Sequence, residues 1–220
     1  MSERKIRFST DIITFFNTEY WGLPADLPYE EWTRTVYADP KPYFDRMLDG
    51  AVECGLDGIE LAPEPGGWEG ALRAYGTIEG VKEAMRSRGL ALSTSYANGG
   101  ALIGNALADP EKEAEADAYM DAHARFVREL GGDRIVMGTV QREPLTGSFD
   151  GPVPDEVFER VAAQIDRLAR VTAAHGVTIA LHTDAYSVCS RTDDVTTVLE
   201  LTDPRHVFLC LDAGHTTLDG

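Results

Sequence analysis

Basic residues and cysteines are the two classes of residue that this chain has little of. Lys and Arg total 20 against 37 Asp and Glu, which gives a formal net charge of −17. Binding to nucleic acid or to an anionic membrane needs clusters of basic side chains, so the charge balance excludes both as expected partners. The 3 cysteines are odd in number and have no CxxC spacing, which is typical of free thiols in a reducing compartment.

Long apolar runs are also absent from the sequence. Met1–Lys5 lead directly into a strand-like segment, with no signal-peptide core and no run long enough to span a membrane. Together with the free thiols, this predicts a cytoplasmic protein. The motifs GxGxxG, GxSxG and HExxH and a Walker phosphate loop are missing as well, so neither a nucleotide site nor a serine hydrolase is predicted.

What the sequence does contain is one repeated pattern of an amphipathic helix, a glycine and a short apolar strand. The glycines of the repeats are Gly55, Gly89, Gly131 and Gly176. A glycine directly after a helix is the usual left-handed terminator, and strands that alternate with helices predict an α/β fold with a parallel sheet. A chain of 220 residues can bury one sizeable core, so we expect a single domain over residues 1–220.

The pattern also predicts where the elements lie. Strands are expected at Ile6–Ile13, Leu56–Leu61, Leu90–Tyr96, Arg134–Gly138, Val177–Leu181 and Val207–Leu211. Helices are expected near Pro40–Glu53, Thr77–Arg88, Glu111–Leu130, Asp155–Ala174 and Asp193–Leu201. Long loops should follow the strands at Thr14–Asp39, Pro63–Tyr75, Ala97–Asp109 and Gln141–Pro154. Loops at that end of a parallel sheet are where such folds place function.

Histidine and aspartate follow two of the predicted strands. His182 and Asp184 come after the fifth strand, and Asp212 and His215 come after the sixth. Metal ligands and acid–base residues occupy that position in parallel α/β folds. Asp212 is a hard oxygen ligand suited to Mn²⁺, Mg²⁺ or Co²⁺, and a neutral His182 is a candidate ligand beside it. His182 and Asp184 share one side of an extended segment because they are two residues apart.

Each of these residues also has a structural interpretation. Asp212 at a strand end is a candidate helix or turn cap, and Asp184 is a candidate to orient His182 through a hydrogen bond. For His215 the alternative is a hydrogen bond within its own loop. His123 and His175 lie on predicted helix faces, and both are expected to be structural.

Three segments carry a resemblance to a known family: Gly55–Leu61 on the second predicted strand, Gly176–His182 on the fifth and Leu209–His215 on the sixth. They resemble the xylose-isomerase-like TIM-barrel superfamily, which includes sugar isomerases, ketose 3-epimerases and inosose dehydratases. The stretch from Arg191 through Pro204 to His215 is most similar to the inosose dehydratase branch. The resemblance covers essentially the whole chain and implies a (β/α) TIM barrel with six of its eight units present here.

The resemblance also implies a metal site. One divalent metal, with manganese expected and cobalt or magnesium as alternatives, is implied at the C-terminal mouth of the barrel, with ligands that are commonly Glu, Asp, His and Glu from strands five to eight. Asp212 matches the sixth-strand ligand, whereas His182 stands where the family has its fifth-strand Glu. His215 matches a substrate-contacting histidine and Glu60 matches the second-strand glutamate, so both are expected to be catalytic. The seventh and eighth strands, with their ligands, are not in this sequence.

Further residues in the predicted loops are candidates for substrate contact. Trp21 lies in the aromatic segment Phe15–Tyr37, which we interpret as a specificity element because ring faces stack on sugar surfaces. Asn98 and Gln141 lie just beyond strands and are candidates to bind sugar hydroxyls beside His215. Packing of the loops on themselves is the alternative for each of them.

The chemistry implied by the resemblance is metal-dependent proton removal next to a carbonyl of a small sugar or polyol, leading to elimination as in an inosose dehydratase-like lyase. Alternatives are a sugar isomerase or 3-epimerase, a C-glycoside deglycosidase-like subunit, and a non-catalytic barrel fragment that a partner chain completes. The sixth strand would expose its edge. We therefore expect a natural chain of roughly 250–330 residues, or closure by a homo-oligomer or a partner subunit.

Overall fold

The computed structural model describes residues 6–219, so the predicted lead-in Met1–Lys5 lies outside the described residues. The chain divides into two compact units, the first comprising residues 1–96 with 129–132 and the second residues 97–128 with 133–220. Among the described residues, no helix combines the length and the apolar character that crossing a bilayer requires.

The first unit is built on parallel strands. These are β1 (Ser9–Asp11), β2 (Gly58–Leu61) and β3 (Ala91–Ala97), with β2 paired to both of the others. Its helices are α1 (Tyr29–Ala38), α2 (Pro40–Glu53), α3 (Trp68–Tyr75) and α4 (Ile78–Arg86). On β2, Ile59 and Leu61 are buried while Glu60 between them is half-buried. Glu60 stands opposite Thr94 in the strand register, so the one carboxylate on this strand is paired with a hydroxyl on its neighbour.

The second unit repeats the arrangement with β5 between its two neighbours. Its elements are α5 (Gly99–Ala108), α6 (Glu113–Glu129), β4 (Arg134–Met137), α7 (Glu143–Thr146), α8 (Asp155–Ala173), β5 (Thr178–His182), α9 (Thr192–Leu201), β6 (Val207–Cys210) and α10 (Ala213–Asp219). Both Ile179 and Leu181 on β5 are fully buried. At the start of α5, a Cβ on Gly99 would lie 1.9 Å from the Gly138 carbonyl oxygen, so only glycine fits this close approach.

Most of the element predictions are confirmed. Each predicted strand is present, with somewhat different bounds, and the helix predicted over Pro40–Glu53 has those limits in the structure. The predicted glycine terminators are confirmed as well: φ is +73°, +72°, +87° and +70° at Gly55, Gly89, Gly131 and Gly176. In this left-handed region a side chain with a Cβ is strained.

The expectation of long loops after the strands is wrong in part, because α1, α3, α5 and α7 lie inside those segments. Burial of aromatic side chains stabilises α1 and α3, since Trp32 and Trp68 are at most 9% exposed. The first strand is also shorter than Ile6–Ile13. The Asp11 carboxylate accepts a hydrogen bond from Ile13 N at 2.9 Å and starts a 3-10 turn over Ile12–Phe15, which ends the strand.

Candidate metal centre

His182 is the last residue of β5, and its ring is held by the aspartate two residues on. Nδ1 lies 2.8 Å from Asp184 Oδ1, so the same-side geometry expected from the spacing is present. When Nδ1 donates to this carboxylate, Nε2 carries the lone pair that a candidate metal ligand needs. Burial lowers the pKa of His182, but the hydrogen bond to Asp184 and the charges of Asp184 and Asp212 outweigh it, so the pKa is raised.

Asp212 lies between β6 and α10, and its two carboxylate oxygens have different surroundings. Oδ1 accepts a hydrogen bond from His215 N at 2.9 Å, which makes Asp212 the cap of α10. Oδ2 lies 3.4 Å from His182 Nε2. The backbone N–H of His215 lowers the pKa of the Asp212 carboxyl, and the nearby imidazoles lower it further. The capping interpretation and a ligand role are therefore compatible, since each uses a different oxygen.

His215 lies one helical turn after Asp212 and faces His182. The two imidazole rings are 5.3 Å apart at an angle of 82°. His215 Nδ1 is buried and has no hydrogen-bond partner within residues 6–219, and it is 3.7 Å from Asp184 Oδ1. A buried polar atom without a partner is unusual in a folded protein and calls for a specific explanation.

Ligand atoms of His182, Asp212 and His215 all lie within 4.8 Å of one another, and each residue is partly exposed. A single cation placed among them is in reach of one carboxylate and two imidazoles. This donor set fits a divalent metal of borderline softness better than Mg²⁺, which prefers oxygen ligands. The sequence-predicted residues His182, Asp212 and His215 are thus brought together, with Asp184 beside them.

Other predicted site residues of the second unit have local structural roles. Asn98 is exposed, and its Oδ1 caps α5 by accepting from Ala101 N at 3.1 Å. Gln141 is exposed and forms an isolated antiparallel bridge with Ser187. Neither belongs to the group of candidate ligands. The sequence pattern suggested a sugar contact for Asn98, whereas the structure uses its acceptor to begin a helix.

Two predicted site residues lie in the first unit. Glu60 accepts a hydrogen bond from the Thr94 hydroxyl. Trp21 Nε1 donates to Phe15 O at 2.7 Å, and its ring lies 4.8 Å from that of Tyr43 on α2. The alternative of loop packing therefore describes the observed contacts of Trp21.

The histidines that were expected to be structural have structural surroundings. His123 on α6 is fully buried, and burial lowers its pKa to about 3. His175 Nε2 lies 2.7 Å from Asp121 Oδ1, which joins the end of α8 to α6.

Sequence reasoning missed Arg142, which directly follows Gln141 and is fully buried beside Asp194. An isolated arginine among Gln141, Glu143 and Pro144 has the pattern of an exposed loop. Its partners Ser187, Ser190 and Asp194 are 45 to 52 residues away along the chain, so no local spacing indicates them.

Comparison with known proteins relates this geometry to a family. The model of the xylose isomerase-like TIM barrel family matches residues 48–220. Curated relatives are inosose dehydratases; the one from Geobacillus thermodenitrificans is 24% identical over 147 residues, which are 64% of this chain and 47% of that protein. The chain therefore spans about half the length of the curated relatives it matches.

Solved structures show the same fold. The IolI protein with a bound zinc atom has a TM-score of 0.67 at 14% identity, over 98% of this chain and 66% of that one. The D-allulose 3-epimerase from Methylomonas sp. in complex with D-allulose has a TM-score of 0.61 at 19% identity, over 80% of this chain and 58% of that one. These likenesses confirm the TIM-barrel fold predicted from the sequence.

Proposed function

Because this chain belongs to the xylose isomerase-like TIM barrel family, we propose that it carries the metal-binding part of a carbohydrate lyase of the inosose dehydratase type. The reaction would remove a proton next to a carbonyl of a keto-polyol and expel water. The observation that carries the proposal is the convergence of His182, Asp212 and His215 at the ends of β5 and β6.

The position of each residue in the site suggests its role in the proposed reaction. His182 Nε2 and Asp212 Oδ2 would hold the metal, and Asp184 orients His182 through Nδ1. When bound, a divalent metal supplies Lewis-acid chemistry to a substrate carbonyl. His215, whose Nδ1 has no hydrogen-bond partner among the described residues, would contact the substrate and accept or return its proton.

The ligand set bears on the choice of metal. Manganese and cobalt remain the metals we propose, and the zinc of the IolI structure adds a third candidate. Magnesium is disfavoured because His182 replaces an oxygen ligand by an imidazole nitrogen.

Three wider expectations stay proposals. We propose that residues 1–220 belong to one barrel domain, that the protein is cytoplasmic, and that it works as a homo-oligomer or with a partner subunit. Sedimentation analysis of the purified chain checks the last of these.

Metal analysis of the purified protein tests the central proposal. Wild type should retain about one divalent metal per chain after incubation with Mn²⁺, Co²⁺ or Zn²⁺ and desalting, whereas Asp212→Ala should retain almost none. Asp150→Ala is the matched control, since Asp150 is an exposed carboxylate of the same unit. Equal metal content in wild type and Asp212→Ala would remove the proposal.

An activity assay distinguishes a dehydratase from an epimerase. A dehydratase removes one water from an inosose, whereas an epimerase converts a ketohexose.

A further inference from the structure

Arg142 is a buried charged side chain that the proposed reaction does not use. It follows the end of β4 and has 0% exposure. Burying a guanidinium is unfavourable unless acceptors surround it. Its Nε has no hydrogen-bond partner within residues 6–219, so even this environment does not satisfy the group completely. An apolar side chain would fill the space without that cost. The role of the guanidinium therefore lies in the hydrogen bonds that it donates.

Those hydrogen bonds reach three separate segments of the second unit. Nη1 donates to Gly151 O at 2.9 Å, in the segment between α7 and α8. Nη2 donates to Ser187 O and Ser190 Oγ, both at 3.2 Å, in the segment after β5. Nη2 also pairs with the carboxylate of Asp194 in the first turn of α9. One side chain therefore joins the segments that follow β4 and β5 to the start of a helix.

The backbone around Arg142 supports the same turn. Its N–H donates to Tyr186 O at 2.9 Å, and Val188 N donates to Val140 O at 3.0 Å. Tyr186 has a φ of +63°, a conformation that is unfavourable for a residue with a side chain. Such a turn persists only when its surroundings hold it. The hydrogen bonds of the Arg142 guanidinium and of the Arg142 backbone N–H provide that support.

The turn that Arg142 holds also carries a residue of the metal centre. Ser187 N donates to Asp184 O at 3.2 Å, which closes the turn. The carboxylate of Asp184 in turn lies 2.8 Å from His182 Nδ1. The path from Arg142 to the His182 ring therefore passes through three hydrogen bonds, which join Arg142 to Ser187, Ser187 to Asp184 and Asp184 to His182.

We propose that Arg142 is a positioning residue of the metal centre: by clamping Ser187 and Asp194 it fixes the Asp184 turn, and thereby the orientation of the His182 ring. This inference rests on the proposed function, since it assigns Arg142 a purpose at the same metal site.

The test compares Arg142→Met and Arg142→Lys with a matched control, Arg167→Met. Arg167 also joins two elements of the second unit, since it donates from α8 to Glu113 O at 3.0 Å and pairs with Asp117 on α6. Among residues 6–219 it has no hydrogen bond to the segments after β4 and β5. Two quantities are measured on the full chain: the Kd for Co²⁺ from its visible absorption, and the hydrogen-exchange rates of the Ser187 and Val188 amides in metal-free protein.

We expect Arg142→Met to raise the Kd for Co²⁺ about 10-fold, as loss of an outer support does at other metal sites, and to speed exchange of both amides roughly 10-fold by local opening. Arg142→Lys keeps the charge but reaches fewer acceptors, so its values should fall between those of wild type and Arg142→Met. Arg167→Met should lower the melting temperature while leaving the Kd and both exchange rates within about 2-fold of wild type.

An unchanged Kd in Arg142→Met, with or without faster exchange, overturns the inference, because the arginine is then only structural. Should Arg142→Met fail to fold, Arg142→Lys decides the matter by the same two readings. If wild type itself does not bind Co²⁺, the proposed function fails, and the exchange rates in metal-free protein alone then decide whether Arg142 holds the Asp184 turn.

Discussion

The two units place polar side chains near parallel strands in different ways. In the first unit the carboxylates have close partners: Glu60 accepts from Thr94, and Glu64 accepts from Tyr37 and from Gly70 N. In the second unit, His182 Nε2 forms an ion pair with Asp212 Oδ2 at 3.4 Å, whereas His215 Nδ1 has no hydrogen-bond partner among residues 6–219.

This difference distinguishes polar groups that have a structural role from polar groups that indicate a ligand site. A carboxylate that accepts a short hydrogen bond from a neighbouring strand stabilises its own position. A buried polar atom without a hydrogen-bond partner is held at a cost in free energy, so the position of His215 Nδ1 beside His182 and Asp212 indicates a ligand. On this criterion the proposed metal site belongs to the second unit.

The largest expected effect comes from removing a ligand in the second unit. His182→Ala should weaken metal binding by more than about 100-fold, since loss of an outer partner alone typically costs about 10- to 100-fold. Glu60→Gln, in the first unit, should leave the Kd within about 2-fold of wild type because its partner is the Thr94 hydroxyl. Isothermal titration with Mn²⁺ and Zn²⁺ measures both variants. A Glu60→Gln protein that loses its metal would break the distinction between the units.

A second comparison is between two histidines of the second unit, of which His123 is fully buried and His182 is partly exposed. Carboxylates beside His182 raise its pKa, whereas burial lowers the pKa of His123 from 6.5 to about 3. Between pH 6.5 and about pH 3, the unfolded chain binds a proton at His123 that the folded chain does not. The free energy of unfolding should therefore decrease as the pH falls below 6.5, by about 1.4 kcal/mol for each pH unit.

The variant His123→Gln isolates this contribution, since glutamine does not titrate. Urea unfolding at pH 7 and pH 5 should show a loss of stability about 2 kcal/mol larger in wild type than in His123→Gln. Equal losses in the two proteins would show that His123 is protonated in the folded state, contrary to the effect of its burial.

The sequence was sufficient for the strand ends and insufficient for the contacts between loops. His182 and Asp212 were found because an apolar run that ends in a polar residue marks the end of a buried strand, which is a local signal. The role of Asn98 as a cap depends on a helix that lay inside a predicted loop. The partners of Arg142 depend on how two loops fold back on one another. The contacts of Arg142 are set by tertiary packing, which no short window of sequence records.

The smallest expected effect concerns Trp21, the first-unit residue proposed from sequence to bind substrate. Its indole N–H donates to Phe15 O and its ring packs on Tyr43, contacts that are explained by loop packing alone. Trp21→Phe keeps an aromatic ring but removes the donor, so it should lower the free energy of unfolding by about 1 kcal/mol. The metal Kd and the KM for an inosose should stay at the wild-type values if packing is its whole role. A raised KM with an unchanged metal Kd would instead make the aromatic segment of the first unit part of the substrate site, and the contrast between the units would then hold for the metal but not for the sugar.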